Sequence, residues 1–255
     1  MRALALLACL ALAACAGAPA TPPPDRRAPD EALPPMKMFS EVAVPQATRP
    51  NAQIAQDFLD LTFQMESGRP VPLMTRFEPP VMVRVAGSAP ASLGPDLAAL
   101  LQRLRREAGI DIRRTEAEAA NITIQVVPRA TLQSLVPQAA CFVAPRVASW
   151  AEYRRARRSQ LVDWTALTRR DKVAIFLPGD VSPQEVRDCL HEELAQALGP
   201  LNDLYRLPDS IFNDDNFHTV LTGFDMLILR AYYAPELRNG MTRDQVAARL
   251  PAVLA

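Results

Sequence analysis

Thiol and imidazole chemistry is scarce in this chain, which holds four cysteines and two histidines. A hydrolytic zinc centre needs three protein ligands and an open position, and a helix supplies two of them as imidazoles at i and i+4. His191 has Ala195 at i+4, so it cannot lead such a pair, and His218 stands alone. The same neighbourhood is instead rich in carboxylate and amide oxygens: Glu192, Glu193, Gln196 and, past Gly199-Pro200, Asn202 and Asp203. Glu192 and Gln196 share one helical face, and His191 lies about 100° around the helix from Glu192. A glutamate can ligate zinc, whereas glutamine and asparagine are poor ligands for it. Glu193 is of the type that serves as a general base, but a base without an activated water has no task. Its plain structural role is a hydrogen-bonded carboxylate inside a cleft. Asp209, Asn213, Asp214, Asp215 and Asn216 would suit calcium by ligand type, yet they lack the EF-hand spacing and fit an ordinary turn.

The N-terminus bears on the remaining cysteines. Met1-Arg2 gives a positive start, Ala3 to Ala14 carries no charge, and Cys15 closes the segment. Such a run is short for a membrane span and suits the core of a secretory signal. Leu12-Ala13-Ala14-Cys15 resembles the lipobox of bacterial lipoproteins, which implies cleavage after residue 14 and acylation of Cys15. Ala16 stands where an acidic residue would favour inner-membrane retention, so the resemblance points to the outer membrane, facing the periplasm. Cys9 leaves with the signal, and Cys141 and Cys189 remain. In an oxidising compartment an even pair reads as a disulfide; the alternative is two buried free thiols.

The elements that must hold these residues follow from period and punctuation. Residues 15–50 are proline-rich and poor in aromatics, and read as a tether reaching up to about 90 Å if extended. A folded domain is expected over residues 51–255. Ile54, Phe58, Leu61 and Met65 form one helical face. Strands are expected at 81–85, 111–114, 121–127 and 172–177, with helices at 97–107 and from 222. Ser182-Pro183-Gln184-Glu185 offers an N-cap, a first-turn proline and a capping-box glutamate for a long helix ending at Gly199-Pro200. Thr222 and Asp225 form a second such box, and Thr242 and Gln245 a third.

Charge is balanced overall, with 28 basic and 28 acidic residues, and loss of Arg2 with the signal leaves the mature chain at −1. Nothing global argues for nucleic acid. Locally, Arg146, Arg154, Arg155, Arg157, Arg158, Arg169, Arg170 and Lys172 stand against three acidic residues, and four of these arginines crowd one short helix that Trp150 and Tyr153 would anchor. The cluster fits a solvated face, or a contact for anionic lipid, a wall polymer or an acidic partner.

Residues 192–203 resemble the metzincin pattern H-E-x-x-H-x-x-G-x-x-H in order and spacing. Glu192, Gln196 and Asn202 take the ligand places, Glu193 the general base, and Gly199 the glycine. Ser210-Ile211-Phe212 resembles the Met-turn segment with phenylalanine for methionine, and Leu221 to Tyr233 the closing helix. With the lipobox and the Asp57-Phe58-Leu59-Asp60-Leu61 helix, the chain is similar to a proteobacterial lipoprotein family catalogued as a domain of unknown function (family 2927). The resemblance implies an α/β (α+β) fold, zincin-like, with a mixed sheet, a long cleft helix and a mainly helical or irregular C-terminal part. The expected function is that of an outer-membrane lipoprotein on the periplasmic face, with a degenerate metallopeptidase-like domain that acts by binding. Two alternatives stand beside it. One is a metallopeptidase using atypical ligands and a divalent metal; the other is a structural envelope lipoprotein touching an anionic surface. No cofactor is expected in the leading reading. Its partners are the membrane, through the lipid, and an envelope protein, anionic lipid or wall polymer.

Overall fold

The structure, a computed structural model, describes residues 49–213 and 218–255. The expected signal segment, Cys15 and nearly all of the tether lie outside the described residues, as do Asp214, Asp215 and Asn216. In chain order the elements are α1 (Asn51–Thr62), β1 (Val81–Ala86), α2 (Leu93–Glu107), β2 (Ile112–Arg114), β3 (Ile122–Val127) and α3 (Arg129–Gln133). There follow β4 (Phe142–Pro145), α4 (Trp150–Ala156), β5 (Val173–Pro178), α5 (Pro183–Leu198), α6 (Gly223–Tyr232), α7 (Arg243–Ala247) and α8 (Leu250–Val253). Two short 3-10 turns, Gln160–Val162 and Trp164–Ala166, lie between α4 and β5.

The five strands form one mixed sheet in the order β2-β1-β3-β5-β4. Its first four strands are parallel, and β4 runs antiparallel to β5, with Phe142 opposite Phe176. The fold is therefore α+β with a mixed sheet. All six residues of β5 are buried, the mark of a strand covered on both faces, and its sequence is accordingly an unbroken apolar run. Alternation then divides the strands. Ile122, Ile124, Val173, Ile175 and Leu177 point into a large core shared with α1, α2, α5 and α6. Ala174 and Phe176 point into a smaller one beneath α3 and α4. There Phe142, Trp150, Tyr153 and Phe176 stack with centroids 4.9–6.3 Å apart, so Trp150 and Tyr153 do anchor the arginine-bearing α4.

Several elements differ from the sequence reading: α1 ends at Thr62, short of Met65, and α3 and α8 had no counterpart there. α2 begins at Leu93 rather than near residue 97, because Pro95 falls in the first turn, where a missing N–H costs nothing. β4 had no counterpart in the sequence reading, being four residues long and half-exposed at its start. Among the described residues no helix is long and apolar enough to cross a membrane.

α5 is the helix that matters for the site. The Ser182 hydroxyl accepts from the Glu185 N–H while the Glu185 carboxylate accepts from the Ser182 N–H, and Pro183 opens the first turn. From Val186 onward nearly every side of α5 is buried, so the helix runs through the molecule rather than over it. Its far end is closed by tertiary donors. Arg170 donates to the carbonyls of Gln196, Ala197 (2.7 Å) and Gly199, and the Tyr233 hydroxyl donates to that of Leu198 (3.1 Å). Each carbonyl the last turn leaves open thus has a donor. Gly199 is required by proximity: a Cβ there would lie 2.9 Å from the Tyr232 ring.

Candidate functional site

The second half of α5 faces a cavity of about 420 Å³. Glu192, Glu193 and Gln196 form one wall; the opposite side comes from Met65, Glu66 and Ser67 after α1, from Cys141, Phe142 and Val143 at the sheet edge, and from Trp164. The sequence-derived residues of α5 therefore converge on one space. Asn202 is not among the residues that line it; its amide donates to the Asp60 carbonyl at 3.1 Å and ties the segment after α5 to α1. Asn202 was placed by the order of the metzincin pattern, which runs past the helix end at Gly199.

The Gln196 amide nitrogen donates to Glu66 Oε1 at 2.8 Å across the cavity wall. Glu193 is only 4% exposed, and its Oε2 is sealed from solvent without a hydrogen-bond partner. Burial pushes the Glu193 carboxyl well above the usual carboxylate range, and the negative charges of Glu192, Glu66 and Asp203 push it further in the same direction. Both effects favour the protonated form of Glu193 over the ionised one.

The Cys141–Cys189 disulfide joins the start of β4 to the middle of α5, with the two Cα atoms 5.9 Å apart. It fixes the distance between two walls of the cavity. The bond closes a loop with a sequence separation of 48, for which the chain-entropy argument gives at most about 4 kcal/mol.

His191 has a different office. It is buried on the far side of α5, where its Nδ1 accepts the Leu221 N–H at 3.1 Å. Burial, with Arg103 and Arg187 nearby, holds its pKa down to about 3, so the ring is neutral and positions the entry to α6. Asp225 completes that anchorage. Its carboxylate accepts from the Ser210 hydroxyl and from the backbone N–H groups of Ile211 (3.1 Å) and Thr222 (2.7 Å). The segment resembling a Met-turn is thereby pinned to the closing helix, and Phe212 is fully buried in the core. His218 Nε2 lies 2.8 Å from the Pro208 carbonyl, a local loop contact.

Three features of the site were not found from sequence. Glu66 and Trp164 reach it only through the tertiary fold, and no local pattern marks them. Arg170 sits in a run of basic residues read as solvated or anion-binding, yet it is buried, stacked 4.8 Å over the Trp164 ring and spent on α5 carbonyls. By contrast Arg154, Arg155, Arg157 and Arg158 are exposed as expected.

Zinc does not fit the donors present. Among the described residues no three His, Cys, Asp or Glu side chains are grouped so as to hold a metal ion. Of the three ligand places implied by the metzincin pattern, two hold amides, Gln196 and Asn202, whose neutral oxygens are poor zinc ligands, which leaves one carboxylate, Glu192.

The fold and site thus define an α+β domain with a mixed sheet, whose central helix presents acidic side chains to a cleft at the sheet edge. The chain belongs to the family described as Protein of unknown function (DUF2927), which matches residues 51–252. No curated protein and no solved structure matches it.

Proposed function

We propose that this protein is a lipoprotein of the outer membrane's periplasmic face, anchored through Cys15, whose zincin-like domain has lost its zinc chemistry and acts by binding an envelope component in the α5 cleft. The observation that carries the reading is the condition of Glu193. A hydrolytic base must be ionised and hold a water polarised by metal. Glu193 is instead buried where desolvation and neighbouring carboxyl groups oppose its ionisation, beside ligand places of which two are amides. The disulfide fits an oxidising compartment, and the one antiparallel strand at the edge of an otherwise parallel sheet, with a long helix following β5, fits a zincin-like architecture.

The test is elemental analysis after dialysis against trace zinc, beside a broad peptide-library assay. The reading expects substoichiometric zinc and no cleavage. About one zinc per chain, with cleavage abolished in Glu193→Gln, would replace it with a peptidase. The anchor is tested separately: Cys15→Ser should move the protein from the membrane fraction to a soluble or unprocessed form, and unchanged membrane association would contradict it.

A further inference from the structure

A second hollow adjoins the cleft. It measures about 360 Å³, shares Met65 and Trp164 with the first, and is lined further by Arg69, Arg157, Arg158 and Asp163. The two spaces carry opposite charge. Among the described residues no lysine or arginine lines the first, which holds Glu66, Glu192 and Glu193. In the second, Arg69 pairs with Asp163 at 3.0 Å, and Arg157 and Arg158 are exposed and make no ion pair among the described residues. Met65 and Trp164 belong to both hollows, so apolar surface joins the acidic residues of one to the arginines of the other.

The acidic half has a further mark of a ligand site. Glu193 is nearly fully buried, forms part of the cavity wall and leaves one oxygen without a partner, a cost that natural interiors rarely carry without use. A metal cage is not what it offers, since the carboxyl groups of the described residues do not converge on one point. Hydrogen-bonding oxygens spread along a wall suit an ammonium or guanidinium group with several N–H donors.

We propose that the two hollows act as one cleft for a peptide segment that carries a basic and an acidic side chain a few residues apart. The basic group lies along Glu66, Glu192 and Glu193, the acidic group on Arg157 and Arg158, and the connecting backbone passes over Met65 and Trp164. This rests on the binding reading above and names the ligand class. The opposed charges also fix direction, because a reversed peptide would set like charges together.

Blocked hexapeptides with one lysine and one aspartate, spaced from one to four residues apart in both orders, are titrated into the full chain by calorimetry. Counterparts lacking the lysine, the aspartate or both serve as references, and mass spectrometry checks that each peptide stays intact. One order should bind best. Removing the lysine should weaken it about ten-fold, and removing the aspartate about three-fold, because the arginines are exposed and screened. Glu192→Gln should abolish the advantage of lysine while keeping that of aspartate, and Arg158→Ala the reverse. Arg154→Ala, exposed on α4 but outside the groove, should leave affinity unchanged. No binding at millimolar peptide, equal binding of both orders, or an equal loss in Arg154→Ala would overturn the proposal. Cleavage of the peptides would overturn the binding reading instead, and the charge preference could still be read from cleavage rates.

Discussion

Arg170 and Glu193 are both buried ionisable side chains that meet the second half of one helix, and they are treated in opposite ways. Around Arg170 each nitrogen has an acceptor: three carbonyls, the Thr75 hydroxyl at 3.2 Å and the face of Trp164 surround one guanidinium. Around Glu193 the neighbours are other carboxyl groups, and one oxygen has no partner. The first arrangement is a structural clamp that ends α5 and leaves nothing over for a ligand. The second carries an unmet hydrogen bond at a cavity wall, which is how a binding surface differs from a core. Burial alone therefore does not separate scaffold from site; what sets Glu193 apart among the buried side chains with an unpartnered atom is that it also lines the cleft.

The largest effect should come from breaking the satisfied side. Arg170→Met keeps much of the volume but strips donors from three buried carbonyls, and should cost about 3–5 kcal/mol in urea unfolding, with Arg169→Ala within about 0.5 kcal/mol of the parent. A loss near that of Arg169→Ala would mean that the clamp is not structural. Next comes the bond between the cavity walls. Replacing Cys141 and Cys189 together with alanine should destabilise the chain by about 2–4 kcal/mol, and reductant should then have no further effect on the double variant.

The unsatisfied side should respond to pH. In the unfolded chain Glu193 ionises near the ordinary 4.5, whereas the folded chain keeps the proton to higher pH. Its favourable contribution is thus complete below that ordinary value and is lost as pH rises toward the folded pKa. Over that window stability relative to Glu193→Gln should fall by about 1.4 kcal/mol per pH unit. A flat difference would show that Glu193 ionises normally. The smallest change expected is at the start of α5, remote from the cleft: Ser182→Ala should cost about 1 kcal/mol and leave peptide binding as it was.

Much of this scaffold was legible in the sequence, and the reasons are local. Val173 to Leu177 announced a buried strand by being apolar throughout, and Ser182-Pro183-Glu185 announced α5 because a capping box is complete within four residues. Glu192, Glu193 and Gln196 could be placed on one cleft because helical spacing is rigid. The missing parts depend on distance in the chain. Nothing local separates Arg170 from Arg169, one a helix clamp and the other a surface ion pair with Asp171 at 2.8 Å. β4 is short, and its role as the cavity's edge follows from pairing with β5 and from the disulfide. Glu66 and Trp164 come to the cleft from segments about 100 residues apart in the chain, a relation no periodicity encodes.

The account turns on the protonation of one carboxyl group, which carbon-detected NMR of the chain labelled at glutamate side-chain carboxyls measures directly, with Glu193→Gln assigning the signal. The prediction is that the Glu193 resonance keeps its protonated position at pH values where the exposed glutamates have already ionised. Titration together with those exposed glutamates would show an ionised Glu193, ready to act as a base, and would contradict the reading of this cleft as a binding site without hydrolytic chemistry.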